Sequence, residues 1–303
     1  MANPLTAASS SAGPPEPAAP NPALVWVAWL ALLLTPIGIY WRIVTDRTVP
    51  IGAAAADLGS IALLLGFAQI RPGLRPLRGF LLAVTAFAGG EFAIYFVQRT
   101  AAWNSWAGRN SEAHLVFAEA LLETIPCALM AVTVIGSGLT RRDLFLARGD
   151  LGRPALSIRG RLISWRRLMP IAALLFAGPL ALQLSVTVRP HADLFGRAVT
   201  ALPEALAFAA FNAAQEEFRF RAVFLARVDQ LLGAGRAMLM TSVIFGIGHW
   251  FGHPSGPSGV VLAFVAGWVL ARSMVKTRGS IWAWAVHAAE DFLIYGALVM
   301  AAR

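Results

Sequence analysis

Two glutamates and two arginines fall within six residues of one another in the stretch NAAQEEFRFRAVF, residues 212–224, amid otherwise apolar sequence. A charge at mid-bilayer costs at least about 2.5 to 3.5 kcal/mol, so ionisable groups inside such a run are usually paired and often mark a functional site. Helical spacing sorts them. Glu217 and Arg221 are four apart and share a face, where a charge-assisted pair satisfies both. Glu216 points about 100° away, lacks that partner and is free to face a cavity, as a general base or acid must. The same four residues also fit a charge network that only closes a helix bundle.

Two more ionisable groups follow. His249 closes FGIGH, four residues after Phe245, and His287 opens HAAED, with Glu290 and Asp291 behind it. A lone histidine in an apolar helix is more often a core donor than a catalyst. His287 and Asp291 share a face at four-residue spacing, so the ring can donate to the carboxylate, or both can point into a cavity. Taken together, a glutamate and two histidines on three apolar segments can activate a water and stabilise an oxyanion. Glu216, His249 and His287 are also the ligand types of a zinc hydrolase, although the two-histidine helix motif of soluble zinc proteases is missing. The single cysteine, Cys127, rules out an intrachain disulfide framework and a cysteine-rich metal site.

The elements that position these groups follow from composition. With 57% hydrophobic and 14% charged residues, the 303-residue chain is too apolar for a soluble domain. Runs such as 21–41, 168–188 and 237–271 reach the roughly 20 residues that a spanning helix needs, and strand-like alternation is absent. The expected fold is an all-α polytopic membrane bundle of eight to nine helices. Candidate spans lie near 23–43, 51–70, 79–98, 113–136, 169–189, 199–226, 237–253, 258–275 and 280–301. Residues 1–20 read as a disordered tail, 21–138 as N-terminal membrane helices, 139–168 as an arginine-rich cytoplasmic loop and 169–303 as the catalytic core.

The net charge of +9 sits in arginines between apolar runs, which argues for a positive-inside bias and against nucleic acid. Few arginines, chiefly Arg47, Arg99, Arg109, Arg189 and Arg197, fall in the other set of loops, which places the N-terminus in the cytoplasm. A bacterial inner membrane is the expected location. Trp26, Trp103, Trp165 and Trp250 fall near span ends and read as interfacial anchors, and His114, His191 and His253 as interfacial or surface histidines. Glu91, Glu119 and Glu123 also lie in candidate spans. They would line the path of a proton-coupled transporter, or else make interhelical hydrogen bonds.

The ordered triple EEFRFR, FGIGH and HAAED resembles the signature of the CPBP family, which reads EExxxR, FxxxH, then HxxxN or HxxxD. These are the CAAX-type prenyl-protein endopeptidases and bacteriocin-processing enzymes, also called the Abi family of intramembrane proteases. The resemblance covers roughly residues 199–301. It implies a glutamic-type intramembrane endopeptidase without a cofactor, acting on a peptide or protein with a membrane-associated tail. It further implies that Glu216 activates water with His249, that His287 and Asp291 form the oxyanion side, and that Glu217, Arg221 and Phe245 support them. Asp291 stands where better-studied members carry Asn, and an ionised Asp cannot donate to an oxyanion; it is either protonated by burial or only orients His287. Arg219 is outside the signature.

Overall fold

The computed structural model describes residues 21–107, 111–187 and 194–301. The N-terminal tail, Arg109, Arg189 and His191 lie outside them. Three helices open the chain: α1 (Pro22–Leu34), α2 (Ile37–Thr45) and α3 (Ile51–Ile70). The first two meet at 56°, where Pro36 removes a backbone donor and the Thr35 hydroxyl donates back to Leu32 O at 2.7 Å. A 3₁₀ turn at Pro72–Leu77 leads into α4 (Arg78–Val97), followed by the short α5 (Ala101–Trp106). Then come α6 (Glu112–Leu122) and α7 (Thr124–Gly136), which run on from one another across Glu123.

Four stretches are long and apolar enough to cross a membrane: Ile51–Ile70, Pro72–Val97, Glu112–Gly136 and Gly256–Thr277, with the bent α1–α2 pair as a fifth. That count applies to the described residues. Small side chains make close crossings possible. At Gly90, an added Cβ would lie 2.5 Å from Pro126 Cα, so the α4 and α7 backbones approach each other closely there.

The connection read as a loop is not featureless. Strands β1 (Pro154–Ile158) and β2 (Arg161–Ser164) form an antiparallel hairpin turned by Arg159 and Gly160 at positive φ, a small departure from an all-helical chain. The segment before it docks on the turn preceding the last helix, through Asp150 N to Thr277 O (2.8 Å) and Ser280 N to Ala147 O (2.9 Å).

The second half begins with α8 (Trp165–Thr187) and α9 (Leu194–Glu216). From Glu217 to Leu225 the helix widens into a π-turn before α10 (Ala226–Leu232). Then come α11 (Ala234–Gly248), a 3₁₀ turn at His249–Phe251, α12 (Gly256–Thr277) and α13 (Ile281–Ala301). The main core joins both halves, with Phe80 and Phe87 of α4 packed edge-on against Phe224.

The tryptophans divide. Trp26 is 72% exposed, as an anchor in lipid would be, but Trp165 is only 2% exposed. It packs against Trp282, whose indole N–H donates to Trp165 O at 2.7 Å. Trp103 is buried too. Position near a span end does not separate an anchor from a core residue, because both need one polar end.

Candidate active site

The site gathers where α9, its π-turn, α11 and α13 meet. The π-turn carries three buried ionisable residues, Glu217, Arg219 and Arg221, in one wide turn, and such insertions recur at functional sites. Glu217 and Arg221 pair at 3.1 Å, as their spacing implies, with side chains 4% and 1% exposed. The Arg221 guanidinium lies 3.8 Å over the ring of Phe245. Gly267 of α12 makes room, since a Cβ there would come within 3.1 Å of both Arg221 Nη2 and Phe245 Cδ1.

Phe245 therefore has three tasks. Its ring supports the guanidinium and packs 4.4 Å from the His249 ring, and its carbonyl accepts the Nδ1 proton of His249 at 2.8 Å. A carbonyl only accepts, so Nδ1 of His249 is protonated and Nε2 faces the site. That Nε2 is 4.0 Å from Glu216 Oε2, too long for a direct hydrogen bond and a separation that one water molecule can bridge.

His287 is held from both sides. Its Nδ1 donates to Glu217 Oε1 at 2.8 Å, while its Nε2 lies 3.5 Å from Glu216 Oε2 and 3.8 Å from Asp291 Oδ1. The adjacent glutamates thus address opposite nitrogens of one imidazole. Glu216 Oε2 is buried and makes no hydrogen bond, so it is available to a third party.

Two further partners were not assigned from the sequence. The Asn212 amide donates to Asp291 Oδ2 at 3.1 Å and to Glu216 Oε1 at 3.4 Å. A signal existed, since Asn212 precedes Glu216 by four residues. Arg219 pairs with Glu123 and lies 4.0 Å from Glu91, tying the π-turn to the N-terminal half. Of Glu91, Glu119 and Glu123, the first and the last thereby have a cationic neighbour.

Cavities reach the site from two directions. One of about 360 Å³ is lined by Thr35, Arg42, Asp57, Glu91, Arg219, Glu216 and His249, and shares residues with a larger polar cavity of about 720 Å³ that includes Glu119. The other, about 100 Å³ and mostly apolar, is bounded by Leu175, Phe176, Leu262, His249, His287, Glu290 and Asp291. His253 also borders it, with Nε2 3.1 Å from Glu112 Oε1.

Glu216, His249, His287 and Asp291 are thus brought together, with Glu217, Arg221 and Phe245 behind them. Residues 198–293 match the family model of the Rce1-like type II CAAX prenyl endopeptidases. This agrees with the CAAX-protease resemblance read from the three motifs, and that family consists of hydrolases acting on peptide bonds. No curated protein and no solved structure matches the chain. The Rce1-like segment holds every motif residue and most of α9 and α13. Among the described residues, no three His, Cys, Asp or Glu side chains are arranged to hold a metal ion, Glu216, His249 and His287 included.

Proposed function

We propose that the protein is an intramembrane endopeptidase of the glutamic type. It hydrolyses a peptide bond of a protein or peptide whose tail lies in the membrane, as the Rce1-like match over residues 198–293 supports. The observation that carries the mechanism is the Glu216 Oε2 atom, buried, without a hydrogen bond, and facing Nε2 of both His249 and His287. A water between Glu216 and His249 loses a proton to Glu216 as its oxygen attacks the scissile carbonyl. The carbonyl π-electrons move to oxygen, and the Nε2 proton of His287 supports the resulting oxyanion. Collapse of the tetrahedral adduct breaks the C–N bond, and Glu216 returns its proton to the leaving amine.

His287 can serve in this way only as the imidazolium, with Nδ1–H donating to Glu217 and Nε2–H facing the carboxylates of Glu216 and Asp291, which together balance its charge. Asp291 orients rather than donates. In this reading no resident metal takes part. The chain is divided into a tail at 1–20, N-terminal membrane helices at 21–138, an arginine-rich cytoplasmic segment at 139–168 and a catalytic core at 169–303. In this reading eight to nine spans cross a bacterial inner membrane, and the uneven distribution of arginines between the two sets of loops supports a cytoplasmic N-terminus. Lipids and a membrane-tethered substrate are the partners. The pairing of Arg219 with Glu123 favours a clamp over a proton-transport path through the N-terminal half.

The test is cleavage of a membrane-peptide library by the purified full chain and by Glu216→Gln, each with and without EDTA. Cleavage by wild type alone, unaffected by chelator, is the expected result. Loss of wild-type cleavage with EDTA, restored by zinc, would replace this reading with the metal-dependent one.

A further inference from the structure

We propose that Asn212 is a positioning residue of the site: its side-chain amide selects which oxygen of Glu216 serves as base and anchors Asp291 opposite. The kinetic consequence rests on the endopeptidase reading; the geometry does not.

An asparagine amide nitrogen offers two protons, and ionised carboxylates only accept. Asn212 Nδ2 reaches one oxygen on each of two carboxylates, Asp291 Oδ2 at 3.1 Å and Glu216 Oε1 at 3.4 Å. This makes the two oxygens of Glu216 inequivalent. Oε1 turns toward the amide, whereas Oε2 lies between the histidines without a hydrogen bond. Asp291 is divided in the same way, with Oδ2 on the amide and Oδ1 3.8 Å from His287 Nε2. Two carboxylates flanking one imidazole nitrogen repel each other, and a neutral donor between them lets both keep a fixed rotamer.

Asn212 is not needed to hold α9 to α13. Tyr295 donates to Glu204 Oε1 at 2.6 Å, and the Trp284 indole donates to Ala210 O at 3.0 Å, which joins the same two helices independently. Removing the amide frees two carboxylates and leaves the helices together.

The full chain in lipid nanodiscs is compared with Asn212→Ala, which deletes the amide, and Asn212→Asp, which keeps the shape and replaces the donor with a third carboxylate. A hydrogen bond to a charged group is worth about ten- to a hundredfold, so kcat is expected to fall by about that factor in Asn212→Ala, and further in Asn212→Asp, with KM nearly unchanged. Infrared difference spectra against Glu216→Gln isolate the Glu216 carboxyl band, which should shift in Asn212→Ala. Unchanged kcat, a KM that rises in step with the fall in kcat, or an unshifted band would each overturn the assignment. If wild type cleaves no peptide, the endopeptidase reading fails, and the infrared band alone decides the role of Asn212. Should Asn212→Asp not fold, Asn212→Ala decides it by the same two readouts.

Discussion

Glu217 accepts the Nδ1 proton of His287 at 2.8 Å, a bond between residues 70 apart in the chain, and pairs with Arg221 at 3.1 Å through the same oxygen. One carboxylate thus sets the orientation of a site imidazole and neutralises a guanidinium that is 1% exposed. Its neighbour Glu216 makes no such commitment. The two substitutions should therefore fail differently. Glu217→Gln leaves a buried cation uncompensated, a loss of about 3 to 5 kcal/mol, and should lower the thermal midpoint in detergent together with activity. Glu216→Gln should abolish cleavage and leave the midpoint near wild type. A Glu217→Gln variant with unchanged thermal stability would remove the structural half of this account.

Arg219 joins the two halves of the chain. It is 4% exposed and meets Glu123 of the N-terminal half, with Glu91 behind. Arg219→Met should destabilise by somewhat less than the about 3 to 5 kcal/mol of a fully buried pair, because the Glu123 side chain remains 27% exposed. Adding Glu123→Gln should recover part of that loss, because the second change removes the stranded charge. The readout is a double-mutant cycle on the thermal midpoint; purely additive losses would show that the two side chains do not act as a pair.

The relation between residues and site was legible in the sequence to the extent that it is local or motif-bound. Glu217 with Arg221 follows from helical spacing, and the gathering of Glu216, His249 and His287 follows from three motifs on three apolar segments. What escaped is long-range or conformational. The bond from His287 to Glu217 needs the register between α13 and the π-turn, which no spacing within either segment encodes. The π-turn itself has no compositional mark, since Glu217–Leu225 reads as ordinary helix. Trp165 failed as an anchor for a related reason: its exposure depends on Trp282, more than a hundred residues on. The hairpin at Pro154–Ser164 was hidden by arginines, which signal a membrane surface whatever the backbone does.

Gly267 tests how tightly the support behind the site is packed. A Cβ there meets Arg221 Nη2 and Phe245 Cδ1 at 3.1 Å, so Gly267→Ala must displace the guanidinium or the ring that carries it. Overpacking of this kind costs about 1 to 3 kcal/mol. The His249 ring packs on Phe245, so kcat should fall along with the thermal midpoint. Gly59 makes a useful control, because a Cβ there meets nothing within 4 Å, and Gly59→Ala should match wild type in both assays.

Asp291 occupies a position where the HxxxN or HxxxD signature takes either residue, and its contacts say what Asp291→Asn would do. Its Oδ2 accepts from Asn212 at 3.1 Å, and its Oδ1 stands 3.8 Å from His287 Nε2, so its present work is acceptance and orientation. In Asp291→Asn, the carbonyl oxygen still accepts from Asn212, while the new amide supplies a donor on the oxyanion side and removes a negative charge from beside a developing one. Asp291→Asn should therefore retain or exceed wild-type kcat. Asp291→Ala, which loses both the acceptor and the shape, should fall by about tenfold or more. Steady-state kinetics on one cleaved peptide separate these cases. If Asp291→Asn is as impaired as Asp291→Ala, the negative charge itself is required, and His287 then depends on that carboxylate for its proton as well as for its position.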